Sequence, residues 1–288
     1  MQRIVLLDVD ATLIDKNLLP TSQGGWDPVR KAVLRLQAQG ARVGLNSDTP
    51  LQTLQEYSEL LGLEGPIVGE LGQVVSLDGH EKSRMLGKSA AFFSDFRKQI
   101  IGRLLDEADH PLVCIGDVNK YPRKVHGKIH QRAFLINGMR QCSFSMFVFG
   151  RIEDELVIQD PLLDEALALM KATFGERLPN EFRFDEDRAS GILIMHENLA
   201  SKSTAYSEII KHFGSAWSYA MIGDGDSDVI QGTPVPVTIH AVGNAKQSVQ
   251  NAARLTGGIS AAGTITAGVI DILNRLADET TIARGGLE

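Results

Sequence analysis

The chain has 288 residues, 43% hydrophobic and 6% aromatic, with 29 Lys and Arg against 36 Asp and Glu for a formal net charge of −7. That length builds one large domain or two modest ones around a well-buried core, and the surplus of acid argues against a general nucleic-acid binder, whose affinity comes from Lys and Arg. No apolar run reaches the roughly 18 residues of a membrane span, and two cysteines, Cys114 and Cys142, are too few for a disulfide scaffold or a thiolate zinc cage.

The opening residues lack the marks of a signal peptide, so a cytoplasmic globular protein with no obligate protein partner is expected, both cysteines serving as small core hydrophobes. In chain order, the apolar run 4–7 predicts a strand buried on both faces. Asp27 reads as the cap of a helix that starts at Pro28 and stops at Gly40, with Val29, Val33 and Leu36 on one face. Residues 42–45 predict the next strand, and 50–61 a second helix with Gly62 as its stop.

The block 77–196 changes pattern. Strand candidates at 112–115, 133–136, 143–149 and 191–195 mix with turn residues and one or two helices. The clearest helix starts at Asp160-Pro161 and spaces Leu163, Leu167, Met170 and Phe174 at helical intervals. Lys120, Arg123, Lys124, Lys128, Arg132 and Arg140 make part of this block basic. Beyond it, 203–213 predicts a helix, and 218–222 and 237–242 predict strands. Strand–helix alternation in the flanks implies an α/β fold, a Rossmann-like doubly wound parallel sheet built from 1–76 and 197–288. The block 77–196 is expected to be an α+β domain threaded into it.

Several of these strands run into polar residues: 4–7 into Asp8-Val9-Asp10, 42–45 into Asn46-Ser47-Asp48-Thr49, and 218–222 into Gly223-Asp224-Gly225-Asp226-Ser227-Asp228. Ligands of open α/β sheets bind outside the carboxyl ends of the strands, so these segments are expected to converge. Carboxylates crowded into one crevice repel one another unless a divalent cation sits among them. Oxygen ligands without a His/Cys cluster point to Mg²⁺ rather than zinc. Carboxylates, Mg²⁺, a hydroxyl and a lysine suit phosphoryl transfer. In that chemistry Asp8 can attack phosphorus to form an aspartyl-phosphate. Asp10 can protonate the leaving oxygen and later deprotonate the attacking water.

Asp8-Val9-Asp10-Ala11-Thr12-Leu13 resembles the first motif of the haloacid dehalogenase superfamily. Ser47 is similar to its second motif, Lys202 in Ala200-Ser201-Lys202-Ser203 to its third, and residues 223–228 to its fourth. Ala241-Val242-Gly243-Asn244-Ala245 and the segment 268–273 further resemble the C-terminal part of the Cof-like subclass. That subclass includes sucrose-phosphate, trehalose-phosphate and mannosylglycerate-phosphate phosphatases and phosphomannomutase, and carries its α+β cap between the second and third motifs. The resemblance implies Asp8 as nucleophile and metal ligand, and Asp10 as general acid/base whose backbone carbonyl also meets the metal. It implies Ser47, Lys202 and Thr12 as phosphate binders, Asp224 as a metal ligand, and Asp228 as a support for the metal or for Lys202. The implied reaction is hydrolysis of a small phosphorylated molecule, a sugar or sugar derivative. A phosphomutase or phosphotransferase would share this core, and a sugar-phosphate-binding protein without catalysis would be expected to lack Asp8 or Asp10. The sequence departs from the pattern at Ala11, where Gly is commoner, at Asp48-Thr49 in place of Gly-Arg, and at Ser227 in place of Asn.

Plainer readings stand beside these. Ser47 could cap the helix that follows Pro50, Lys202 could be a solvated lysine at a helix start, and Asp226 reads as a solvated loop residue with no metal. Segment 120–126 is either a solvated loop or a specificity loop, in which Lys124 and His126 are the candidates. His126 and His130 are spaced for a metal on a helix, but Gly127 argues against a helix there. Arg140, Ser143 and Ser145 alternate towards one face of a strand, off the register of Phe144, Met146 and Phe149. By the resemblance, Arg140 and Ser143 are candidate substrate contacts.

Overall fold

The computed structural model describes residues 2–15, 18–83, 89–107, 111–117, 131–153, 155–175 and 181–285. Contacts divide the chain into two compact units, Met1–Arg84 with Ser201–Glu288, and Met85–Ala200. The elements of the first stretch are β1 (Arg3–Leu7), α1 (Asp27–Gln37), β2 (Ala41–Asn46), α2 (Leu51–Leu61), β3 (Ile67–Gly69), β4 (Val74–Leu77) and β5 (His80–Ser83). The middle stretch holds α3 (Ser89–Leu105), β6 (Leu112–Gly116), β7 (Arg132–Asn137), β8 (Phe144–Ile152), β9 (Glu155–Val157), α4 (Asp160–Phe174), β10 (Phe182–Asp187) and β11 (Ile192–Glu197). The chain then returns through α5 (Lys202–Phe213), β12 (Ser218–Gly223), β13 (Val237–Ala241), α6 (Gln247–Leu255) and α7 (Ile265–Gly285).

The fold is α/β. Seven strands make the larger sheet in the order β13-β12-β1-β2-β3-β4-β5, parallel from β13 to β3 and antiparallel at β4 and β5. The apolar run of β1 shows why it sits at the centre. Val5 and Leu7 pack into one buried cluster with Val29 and Val33 of α1 and Ile272 and Leu276 of α7. Ile4 and Leu6 pack into another with Tyr206 and Ile209 of α5 and Val249 of α6. A strand whose side chains alternate between two helical layers must be apolar at every position. The same crowding decides Gly44 of β2, where a Cβ would lie 2.0 Å from the Pro66 carbonyl oxygen.

Local signals hold with small shifts. Helix α2 ends at Gly62 in the left-handed conformation (φ 68°), as its sequence predicts. Helix α1 departs from expectation at its start: Trp26 occupies the cap position, no side chain caps the helix, and Asp27 is a first-turn residue. There it favours the positive end of the helix dipole without closing a capping bond. The strand β5, which the sequence reading leaves in the insert, is the edge of the larger sheet. It is joined to β4 by a hairpin whose two central residues, Asp78 (φ 49°) and Gly79 (φ 77°), both have positive φ. An Asp-Gly pair is the composition such a turn requires.

The unit Met85–Ala200 is α+β. Its sheet runs β10-β11-β8-β7-β6, with β9 added to β8, and every pair but β6–β7 is antiparallel. Phe144, Met146 and Val148 of β8 join Phe93 and Phe96 of α3 and Leu163 and Met170 of α4 in one buried cluster. Phe149, expected on the face of Phe144 and Met146, instead lies an odd number of residues from Phe144, on the face of Ser145, in a separate small cluster with Ala133 and Leu135. Cys142 is buried, while Cys114 is only half-buried. Among the described residues, no helix is long and apolar enough to cross a membrane.

Candidate active site

Asp8 follows the last residue of β1, and Asp224 follows the last residue of β12, its direct parallel neighbour. The register Leu7↔Ile222 therefore brings together carboxylates more than 200 residues apart in sequence. Lys202 opens α5 at the same end of the sheet, where Ser201 caps the helix by accepting the Thr204 N–H. Its ammonium donates to Asp8 Oδ1 at 2.5 Å and to Asp228 Oδ1 at 2.6 Å. These three groups are nearly sealed from solvent: Asp8 is 6% exposed, Lys202 3% and Asp228 0%.

Asp228 holds more than the lysine. Its second carboxylate oxygen accepts the backbone N–H groups of Asp224 and Gly225, both at 2.9 Å, and so fixes the loop that carries Asp224. Gly223 makes room for this, because a Cβ there would lie 2.2 Å from that oxygen. The Thr12 hydroxyl lies 2.9 Å from Asp224 Oδ1 and 3.2 Å from Asp8 Oδ2, bridging the two strand ends.

Burial dominates the electrostatics. It pushes the Asp8 carboxyl well above the ordinary range, reinforced by Asp228 and Asp10 and opposed by Lys202. Asp224 is raised as well, first by burial and then by Asp228, against the Thr12 hydrogen bond. Burial opposes the charge on Lys202, but Asp228 and Asp8 outweigh it and hold the ammonium above its usual value. Asp8, Asp224 and Asp228 each bring an oxygen within 4.8 Å of the others. Three carboxylates against one ammonium leave excess negative charge in a dry site, and an all-oxygen donor set of this kind is suited to a small hard cation.

Asp10 and Ser47 meet through a residue that the sequence reading did not assign. The Thr49 hydroxyl donates to Asp10 Oδ2 at 3.3 Å and takes a hydrogen bond from Ser47 Oγ at 3.1 Å. Ser47 Oγ also accepts the Thr49 N–H, so the serine closes its own turn, while Pro50 occupies the cap position of α2. Asn46, wholly buried, donates to the Lys202 carbonyl at 3.5 Å. Asp226 is not simply solvated: Lys246 donates to it at 2.8 Å and Ser248 donates to its other oxygen, which ties the loop to the start of α6. Ala11 has φ 57°, a conformation in which glycine costs least, and its carbonyl accepts from Asn244 Nδ2 at 2.8 Å. Asn244 also accepts the Ile265 N–H at 2.7 Å. The motif pattern around Asn244 carried this signal, but its partners lie too far along the chain to be named from sequence.

Comparison with known proteins decides the family. The chain matches the haloacid dehalogenase-like hydrolases over residues 5–266. It belongs to that family. Solved structures of similar fold include a haloacid dehalogenase-like hydrolase from Bacteroides thetaiotaomicron, with a TM-score of 0.61 at 14% identity over 96% of this chain and 100% of that one. A protein from the same organism, analysed among phosphatases of the haloalkanoate enzyme superfamily, has a TM-score of 0.55 at 16% identity over 96% of this chain and 95% of that one. A trehalose-6-phosphate phosphatase related protein has a TM-score of 0.55 at 12% identity over 98% of this chain and 99% of that one. At these identities the likeness shows the fold. No curated protein matches the chain.

In the hydrolase's second unit, Arg140 is buried. Its guanidinium donates to Ser143 Oγ at 2.8 Å and to Ser145 Oγ at 2.9 Å, and its carbonyl accepts from Arg97 at 2.8 Å. The three residues named together are one hydrogen-bonded cluster, but strand alternation is not the reason: Arg140 and Ser143 precede β8 and only Ser145 lies on it. Lys124 and His126 lie outside the described residues.

Proposed function

We propose that this haloacid dehalogenase-like hydrolase is a phosphatase of small phosphomonoesters, with a phosphorylated sugar or sugar derivative as its substrate, acting through attack of Asp8 on phosphorus. The observation that carries this reading is the contact between the Asp8 carboxylate and the Lys202 ammonium at 2.5 Å, both nearly sealed from solvent. A nucleophile and a cation for the phosphate then share one dry floor, where electrostatic stabilisation is strongest. The sugar-phosphate assignment is supported by the family and by neighbours of the same fold that include a trehalose-6-phosphate phosphatase related protein.

Asp8 and Asp224 are the residues that would hold Mg²⁺, with Asp228 and the Asp10 carbonyl in support. Bound there, Mg²⁺ supplies neutralisation of the charge on Asp8 and on the phosphate. The Asp8 oxygen forms a bond to phosphorus as the ester oxygen leaves, and Asp10 gives that oxygen its proton. Asp10, now ionised, takes a proton from water, which attacks the same phosphorus and releases inorganic phosphate with Asp8 restored. Lys202 keeps its proton throughout, since Asp228 and Asp8 hold its charge, and so acts as a fixed cation towards the phosphate oxygens. Ser47 and Thr49 offer hydroxyl donors from the turn after β2. Thr12 and Asp228 are positioning residues, the first joining two carboxylates and the second orienting Lys202 and the Asp224 loop. Met85–Ala200 is assigned substrate selection, with Arg140 and Ser143 among its candidate contacts.

The test is inorganic phosphate release from a panel of sugar phosphates, with and without Mg²⁺, for the native protein and Asp8→Asn. Turnover should require Mg²⁺ and fall by about 10³-fold or more in the variant. Undiminished turnover in Asp8→Asn would sink the mechanism, and isomerisation without phosphate release would assign a phosphomutase instead.

A further inference from the structure

The turn that follows Asp10 is held from far along the chain. Ala11 has φ 57° and Ile265 has φ 49°, two left-handed residues that are not glycine, the second of them β-branched. Such backbone is costly and persists only where its surroundings over-determine it, most often at functional sites. Both residues are bonded to one side chain. Asn244 donates from Nδ2 to the Ala11 carbonyl at 2.8 Å, and its Oδ1 accepts the Ile265 N–H at 2.7 Å. The segment around Asn244 is itself pressed into place: the Gly243 N–H donates to the Gly263 carbonyl at 2.7 Å, and a Cβ on Gly243 would lie 2.6 Å from the Ala262 carbonyl oxygen.

The left-handed Ile265 seats the residue after it. Thr266 is wholly buried, and its hydroxyl donates to the Leu13 carbonyl at 2.7 Å and accepts the Thr21 N–H at 2.8 Å. One hydroxyl at the start of α7 thus ties down two points that lie 253 and 245 residues away in sequence. Asp10 depends on such ties. Its side chain is exposed, so its aim follows mainly from the backbone that carries it. There the Val9 carbonyl accepts the N–H groups of Leu13 at 2.8 Å and Ile14 at 3.1 Å, and a bridge pairs Asp10 with Ile14. Asn244 holds this turn at Ala11 and Thr266 holds it at Leu13, on either side of Thr12, which joins Asp8 to Asp224.

We propose that Thr266, seated by Asn244, is a positioning residue of the reaction: it holds the turn of residues 10–14 so that Asp10 delivers its proton to the leaving oxygen. This role rests on the phosphatase reading. Slackening the turn displaces Asp10, and the cost is greatest for esters whose leaving oxygen most needs a proton.

The test compares kcat/KM for two esters in the presence of Mg²⁺. Phenyl phosphate has a leaving oxygen that needs protonation, whereas the leaving group of 4-nitrophenyl phosphate departs readily as an anion. Thr266→Val keeps the shape and removes the hydroxyl. It should lower kcat/KM about tenfold or more for phenyl phosphate and less than about threefold for 4-nitrophenyl phosphate, with folding checked by circular dichroism. Thr266→Ser should restore the native ratio, and Asn244→Ala, at an exposed position, should shift it in the same direction as Thr266→Val. Independently of turnover, Thr266→Val should speed amide hydrogen exchange at Leu13 and Ile14 about tenfold, although both N–H groups are bonded to Val9 and not to Thr266. An equal fall for both esters, or no fall for phenyl phosphate, overturns the proposal. Unchanged exchange at Leu13 and Ile14 overturns it whichever ester is turned over. Inactivity of the native protein on both esters and on the sugar-phosphate panel overturns the phosphatase reading and this one with it, whereas an active protein whose variants keep the native ratio overturns this one alone.

Discussion

The two ends of the larger sheet use the same chemical groups to different effect. At the carboxyl ends of the parallel strands, Lys202 is held between Asp8 and Asp228 with all three nearly sealed from water. At the amino ends, Asp78 is held between Arg42 and His212, and all three are between a third and a half exposed. Arg42 there also lies over the rings of Phe213 and Trp217, 5.2 and 5.7 Å from their centroids. Distances alike in the two clusters carry unlike energies, because water screens the exposed one and leaves the buried one at full strength. Burial leaves an ion cluster strongly coupled; exposure leaves it a surface clasp.

The largest expected effect comes from removing the buried cation. Lys202→Met leaves two buried carboxylates without a cation between them, and urea unfolding should show a loss of about 3–5 kcal/mol. Adding Asp228→Asn should return part of that loss, because one of the stranded charges is gone. A single-variant loss below about 1 kcal/mol would erase the distinction between the two ends.

His240, on β13, is an intermediate case: buried, but neutral. Its Nδ1 accepts the Ile259 N–H at 2.9 Å, and burial, with Arg3 and Arg275, lowers its pKa from 6.5 to about 4. The folded pKa is depressed, so the unfolded chain binds more protons between those values. Stability from this group is therefore whole above pH 6.5 and falls as the pH drops towards 4, by about 3 kcal/mol in all. His240→Asn keeps an acceptor without the titration and should flatten that slope in unfolding measured from pH 7 to 4. An unchanged slope would exclude His240 as its source.

Ala11→Gly should stabilise the protein by about 0.5–1 kcal/mol, since glycine relieves the positive φ at modest entropic cost. Destabilisation would show that the alanine methyl is needed there. The smallest effect belongs to the exposed clasp. Hydrogen bonds from His212 and then Arg42 lower the Asp78 pKa, so its contribution is present above pH 3.8 and is lost below it as the carboxylate protonates. Asp78→Asn should cost less than about 1 kcal/mol at pH 7 and progressively less as the pH falls below 3.8, and a larger loss at pH 7 would mean the clasp is not screened.

Much of this was legible in the residues. The apolar runs of β1, β2 and β12, the stop at Gly62 and the helix opened by Asp160-Pro161 follow local patterns of period and punctuation. Short or polar elements were not legible. β3 has three residues, and β10 reads Phe-Arg-Phe-Asp-Glu-Asp, an edge strand that needs little burial and so carries little apolar signal. In the site, residue types and strand-end positions pointed to Asp8, Lys202, Asp224 and Asp228. Thr49 and Asn244 escaped, since a hydroxyl or an amide declares no role until its neighbours are known.

By itself, then, the sequence determined which side chains stand at the ends of buried strands, because burial on both faces leaves an unmistakable apolar run and polarity resumes where the strand stops. Only the tertiary structure decided what those side chains touch. Asp226 and Asp228 sit two residues apart, yet one reaches outward to Lys246 and Ser248 and the other inward to Lys202 and two backbone N–H groups. That difference arises from the parallel register of β1 with β12 and from where α5 begins, and both are set by packing between segments that local pattern cannot align.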